Sequence, residues 1–176
     1  RLYHCCPISD GAAALVLTAE PAPIRIAGIG QGTDTMAVRY RRDLTSFRAT
    51  QAAAQAAYAM AGFGPERVEL AEIHDAFSPF ELISLEDTGL MPPGKAGRAT
   101  LDGETALDGR LPVNTSGGLK ARGHPLAATG IAQIVELCLQ LRGLAEGRQV
   151  SARVALAHSI GGLATNNWVT LVEARA

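Results

Sequence analysis

Three of the four histidines, His74, His124 and His158, fall where an extended segment ends and a turn, a glycine or a helix begins. Strand ends and helix N-termini present backbone N–H groups without internal partners, so an imidazole placed among them can hold an anion or move a proton. Each histidine taken singly also fits a structural hydrogen-bonding role, and Gly-Gly pairs such as Gly117-Gly118 and Gly161-Gly162 also serve as plain turns. Cys138, inside an apolar stretch, reads as a packed core thiol. Cys5 and Cys6 read as strand-edge residues, because a nucleophilic thiol needs an electropositive site and none of their sequence neighbours supplies one. Lys120 and Arg122 could meet a phosphate but are read first as solvated loop charges. Three cysteines make no disulfide framework, and their spacing holds no zinc or other metal.

The elements that must position these groups follow from the apolar pattern. Residues 12–19 and 24–30 are apolar runs around Pro21 and Pro23 and read as two strands, with periodicity leaving a helical first segment open. An Ala-rich run from Thr45 or Ser46 to Ala61, stopped by Gly62, predicts a helix. Residues 68–73 form a strand that delivers His74, followed by a helix over residues 79–88 with Gly89 as its stop. Residues 91–110, rich in Pro, Gly and charge, predict an irregular surface excursion. A helix over residues 126–141 carries apolar side chains on most faces, which predicts deep burial rather than an amphipathic role. Residues 153–157 and 167–172 close the chain as strands around His158. The alternation of strands and helices gives an α/β domain.

Composition sets the outer limits. At 176 residues and 47% apolar, the chain has the length and content for one packed domain, here residues 1–176. A net charge of −1, with no basic run, gives no reason to expect nucleic acid or an anionic membrane as partner. Gln133, Glu136 and Gln140 argue against a membrane span in the longest apolar helix. The chain opens on Arg1 and lacks the order of a secretion signal, and is read as a fragment of a cytoplasmic protein. Gly28-Ile29-Gly30-Gln31-Gly32 lacks the spacing of a dinucleotide-binding loop.

Three stretches together carry a family resemblance: His74-Asp75-Ala76-Phe77, the run from Asn114-Thr115-Ser116-Gly117-Gly118 to Gly123-His124-Pro125, and His158-Ser159-Ile160-Gly161-Gly162. In this order they resemble the C-terminal half of thiolases, and the opening from Cys6-Pro7-Ile8-Ser9-Asp10-Gly11 is similar to the start of that half. The sterol carrier protein X type and archaeal-type thiolases are the subfamily most resembled. The resemblance implies a three-layer α-β-α half-domain with a mixed five-stranded sheet. It also implies an acyltransferase that makes or breaks a carbon–carbon bond in an acyl-CoA, through a nucleophilic cysteine in an N-terminal half absent from this chain.

By that resemblance His124 activates the cysteine and then holds the enolate oxygen, His74 completes the oxyanion site, and the amide of Gly161 faces the acyl oxygen. Asn114, Gly117, Gly118, Gly123, Pro125 and Gly162 shape the loops. Thiolases add a second cysteine as acid and base; its two places hold Ala76 and Ser159 here, so proton transfer falls to His158, to water or to no group. The coenzyme A thioester is substrate, with no tightly bound cofactor. Implied partners are the N-terminal half, further copies of the same protein and a small OB-fold, zinc-ribbon protein. The alternative is a non-catalytic thiolase-like subunit that scaffolds a partner.

Overall fold

The computed structural model describes residues 1–175. Its four-stranded sheet has the order β1 (Ile24–Thr33), β4 (Asn166–Ala174), β3 (Val154–Gly161), β2 (Leu70–Ile73). The β1–β4 and β3–β4 pairs are antiparallel and β2–β3 is parallel, so the sheet is mixed. The helices are α1 (Arg48–Ala61), α2 (Ser78–Asp87), α3 (Ala96–Leu101), α4 (Gly118–Arg122) and α5 (Thr129–Leu141). Helix α1 lies across β1 and β4, while α5 lies across β3, β2 and part of β4. Strand alternation divides the core accordingly. Val154, Leu156, Val169 and Leu171 meet α1, and Leu70, Ala155, Ala157 and Val172 meet α5.

The expected five strands are four. Residues 12–19 are apolar but pair with nothing; Val16 and Leu17 are exposed, and Leu15 only skirts an apolar groove beside α5. An apolar run becomes a strand only when another backbone offers donors and acceptors, which periodicity does not report. The outer edge of β2 is partly taken by residues 112–114: Ala71 N–H donates to Pro112 O at 3.0 Å and Asn114 N–H to Ala71 O at 2.8 Å. The predicted excursion at 91–110 is also more ordered than expected. Glu86 accepts from the amides of Gly94 (2.7 Å) and Ala96 (2.9 Å), starting α3, and Met91, Ala96 and Ala99 enter the core.

The glycines of the Gly28–Gly32 string have a packing role. A side chain on Gly28, Gly30 or Gly32 would drive into the carbonyls of Ala57, Ala53 or Ala49, which lie one turn apart along α1. Glycines on the strand and alanines on the helix let the two backbones touch, as the Ala- and Gly-rich composition demands.

Contrary to its apolar pattern, helix α5 is not buried on most faces. Its sheet-facing, buried residues are Thr129, Gln133, Glu136, Leu137 and Gln140, whereas Ile131, Ile134, Val135, Cys138 and Leu139 are only half-buried. The polar side chains point inward because they have partners there. Gln133 Nε2 donates to His158 O (3.0 Å), and Glu136 pairs with Arg148 at 2.9 Å. The apolar side of α5 instead joins Ile26, Ile29 and Trp168, all exposed, in an open groove.

Replacing Gly30 with Val should cost at least ~3 kcal/mol, because helix and strand must separate to admit the side chain. Urea unfolding measures this; an unchanged midpoint would mean that α1 does not rest on the β1 backbone.

Candidate active site

The site is assembled from the loop after β2 and the two glycine loops. Ile73 N–H donates to Asn114 Oδ1 at 2.8 Å, and Asn114 Nδ2 donates to Glu81 Oε2 at 3.1 Å. Asn114, at φ 56°, thus ties the end of β2 to α2. Asp75, next to His74, accepts from the amides of Leu119 (2.7 Å) and Lys120 (3.2 Å). That seat leaves no room for a side chain at Gly118, whose φ of 64° also favours glycine. Gly117 opens α4 and Gly123 closes it, the latter packed against Ser9. Pro125 O accepts the amides of Ala128 (2.9 Å) and Thr129 (3.0 Å) as the chain turns into α5.

These restraints bring His74 and His124 together. Their ring centroids are 5.0 Å apart with planes at 85°, an edge-to-face contact. Both rings line a cavity of about 620 Å³ whose walls include Cys5, Cys6, Ala76, Ile160, Gly161 and Gly162. His124 Nδ1 lies 2.7 Å from Thr129 Oγ1, and that hydroxyl donates to Pro125 O at 3.1 Å. The hydroxyl proton being used there, His124 donates from Nδ1 and leaves Nε2 as the basic nitrogen.

His158 does not join them. It is fully buried under α1, with Nε2 3.1 Å from Thr50 Oγ1, and does not line the cavity. Alternation along β3 sends it to the α1 face. Ser159 points the other way, toward Gly130 at the start of α5.

Loop order and geometry now meet the comparison with known proteins. The model of the thiolase C-terminal domain-like family matches residues 30–174. The chain belongs to this family. It is 48% identical over 170 residues to an acetyl-CoA acetyltransferase of Methanothermobacter thermautotrophicus, covering 92% of this chain and 44% of that protein. It is 41% identical over 173 residues to sterol carrier protein 2 of Bos taurus, covering 91% of this chain and 32% of that protein. Among solved structures it resembles the Ltp2-ChsH2(DUF35) aldolase, with TM-score 0.77 and 28% identity over 88% of this chain and 40% of that one. A monomeric SCP2-thiolase-like protein type 1 from Mycobacterium smegmatis shares the fold, with TM-score 0.58 and 20% identity over 87% of this chain and 29% of that one. The chain spans less than half the length of the curated relatives it matches.

The electrostatics of this thiolase C-terminal domain keep His74, His124 and His158 neutral. Burial pushes the His74 pKa down to about 3, with the neighbouring His158, His124 and Arg122 adding to the effect. Burial and Arg122 also lower His124. His158 is pushed down to about 4 by burial.

Several contributors escaped the sequence reading. Lys120 is not a free loop charge; its ammonium is bound to the carbonyls of Tyr3 and Cys5. Arg122 is half-buried behind the histidines, with Nε and Nη2 lacking protein partners. Glu72 is fully buried beneath the Asn114–Gly118 loop, accepting from Ser116 N–H at 3.0 Å and Ser116 Oγ at 2.6 Å. A carboxylate inside the strand Leu70-Ala71-Glu72-Ile73 was the signal available for it. Among the described residues no cluster of His, Cys, Asp and Glu has an arrangement that would hold a metal ion. Among them, too, no helix is long and apolar enough to cross a membrane.

Burial, assisted by Glu136, raises Glu72 from 4.5 to about 7, against the pull of its Ser116 hydrogen bonds and Arg122. The folded state therefore binds this proton more tightly than the unfolded chain, and stability from Glu72 is lost as pH rises from the unfolded value through about 7. Glu72→Gln removes that titration. The stability of the variant relative to the parent should grow between pH 5 and pH 8, by up to roughly 3 kcal/mol. Urea unfolding at both pH values reads the difference; a constant offset would show that Glu72 does not titrate in the fold.

Proposed function

We propose that this domain supplies the C-terminal half of the active site of a thiolase-like acyltransferase, making or breaking a carbon–carbon bond next to a coenzyme A thioester. The observation that carries this reading is the edge-to-face pair of neutral imidazoles, His74 and His124, on a cavity shared with Gly161. A neutral His124 with a free Nε2 suits removal of a thiol proton from a cysteine brought by the N-terminal half. The imidazolium so formed then carries that proton on Nε2 and presents it to an enolate oxygen. His74 completes this oxyanion hole, and the Gly161 amide serves the acyl oxygen. His158, buried on the far face, serves the site by holding β3 to α1 through Thr50 and by helping to keep His74 neutral.

In this reading coenzyme A thioesters are substrates and no cofactor is held permanently. The open apolar groove between α5 and Ile26, Ile29 and Trp168 is the surface the N-terminal half covers. Assembly into homo-oligomers and use in acyl-lipid metabolism belong to the same proposal. The similarity to the Ltp2-ChsH2(DUF35) aldolase favours a retro-aldol variant, since enolate stabilisation serves that cleavage as well, and favours an OB-fold, zinc-ribbon type partner. The second reading, a non-catalytic scaffold for such a partner, is favoured by Ala76 and Ser159 at the places where a thiol acid–base group is expected.

In the complete protein containing this domain, His124→Ala should slow acylation of the nucleophilic cysteine by acyl-CoA by about 10²–10⁴-fold. Intact-mass measurement of the acyl adduct over time tests this. Unchanged acylation rejects the role of His124, and partner binding with no acylation in either protein supports the scaffold.

A further inference from the structure

Carbon–carbon chemistry beside a thioester needs, besides the groups that hold oxygen, one group that gives or takes a proton at the α-carbon. Four titratable side chains belong to residues lining the cavity: those of His74, His124, Cys5 and Cys6. The proposed function commits both imidazoles to oxygen and to the nucleophile. The carbon is left to a cysteine.

The backbone distinguishes the two. Residues 5–9 form a strap between the histidine loops. Cys6 N–H donates to Ala76 O at 2.9 Å, His124 N–H donates to Pro7 O at 2.9 Å, and Ile8 bridges to His124. The antiparallel bridge between Cys5 and Phe77 sets Cys6 directly opposite Ala76. Opposite residues of an antiparallel pair share a face, with Cβ atoms about 4.5–5.5 Å apart. Ala76 is buried on the cavity wall, so the half-buried Cys6 takes the same side, while Cys5, also a wall residue, faces Phe77 and is exposed.

From this placement, and resting on the acyltransferase reading, we infer that Cys6 is the acid–base residue at the α-carbon. In the cleavage direction the enolate carbon takes the Cys6 proton through the electron pair of its carbon–carbon double bond. The oxyanion closes to the carbonyl, and sulfur keeps the S–H pair as thiolate. Solvent then returns a proton to this thiolate, and the incoming coenzyme A gives its thiol proton to solvent as its sulfur attacks the acyl group on the nucleophile. Condensation runs the same transfers in reverse. Burial, followed by the charge of Asp75, raises the Cys6 pKa, so the thiol rests protonated and ready to act as an acid.

The experiment uses the complete protein and a panel of acetyl-, butyryl- and octanoyl-CoA in D₂O, reading α-proton exchange by mass and acylation of the nucleophile in parallel. Cys6→Ala should lower exchange at least about 10²-fold while acylation stays within about threefold. Cys6→Ser, closer in size, should lose exchange to the same degree. Ala76→Cys placed in the Cys6→Ala background should recover exchange to within about tenfold, because it returns a thiol to the facing position. Exchange retained in Cys6→Ala or Cys6→Ser overturns the role of Cys6 and leaves the acyltransferase reading intact. An unaltered protein that shows neither exchange nor acylation overturns both.

Discussion

The carboxylate of Asp75, seated on the amides of Leu119 and Lys120, is the interaction on which the site depends. It joins a strand end to a short helix that is distant in sequence, and so sets His74 against His124. Burial disfavours its charge and raises its pKa, while the two amides and Arg122 oppose the rise. Gly118 is required by the same contact, since a side chain would occupy the space of the carboxylate. Chemistry and backbone geometry here are one constraint.

A second polar layer supports the first. Glu72 holds Ser116, Thr115 bonds to Glu136 at 3.1 Å, and Glu136 is bound by Gln140 and Arg148. A buried carboxylate pair is costly, and its return is an ordered loop, because the Thr115 and Ser116 hydroxyls and the Ser116 amide are all held by it. Helix α5 turns Gln133, Glu136 and Gln140 inward to complete this layer, which leaves Ile131, Val135, Cys138 and Leu139 only half-buried. In the proposed reading the N-terminal half covers them, and the open side of α5 and the incompleteness of the site have one cause.

The cavity itself works by position more than by charge. Its histidines rest neutral, held so by burial and by a nearby guanidinium, and in the proposed reading cations form only as protons arrive during acyl transfer. The strap of residues 5–9 is part of this wall rather than a loose lead-in, since both histidine loops are hydrogen-bonded to it.

The sequence by itself determined the family, the helix ended by Gly62, the strand that delivers His74 and the loop order around His124, because these rest on local patterns: glycine positions, Ala-rich runs and a contiguous Gly-His-Pro stretch. It also made Asn114 and the loop glycines legible as loop-shaping residues. Only the tertiary structure decided which groups share a cavity. His74 and His124 meet, His158 turns to the other face of the sheet, and Cys6 comes beside Ala76 through a bridge no local pattern encodes. The same holds for the missing fifth strand and the inward polar face of α5. Strand pairing and the burial of polar side chains depend on partners far away in the chain, and such partners exist only once the fold has placed them.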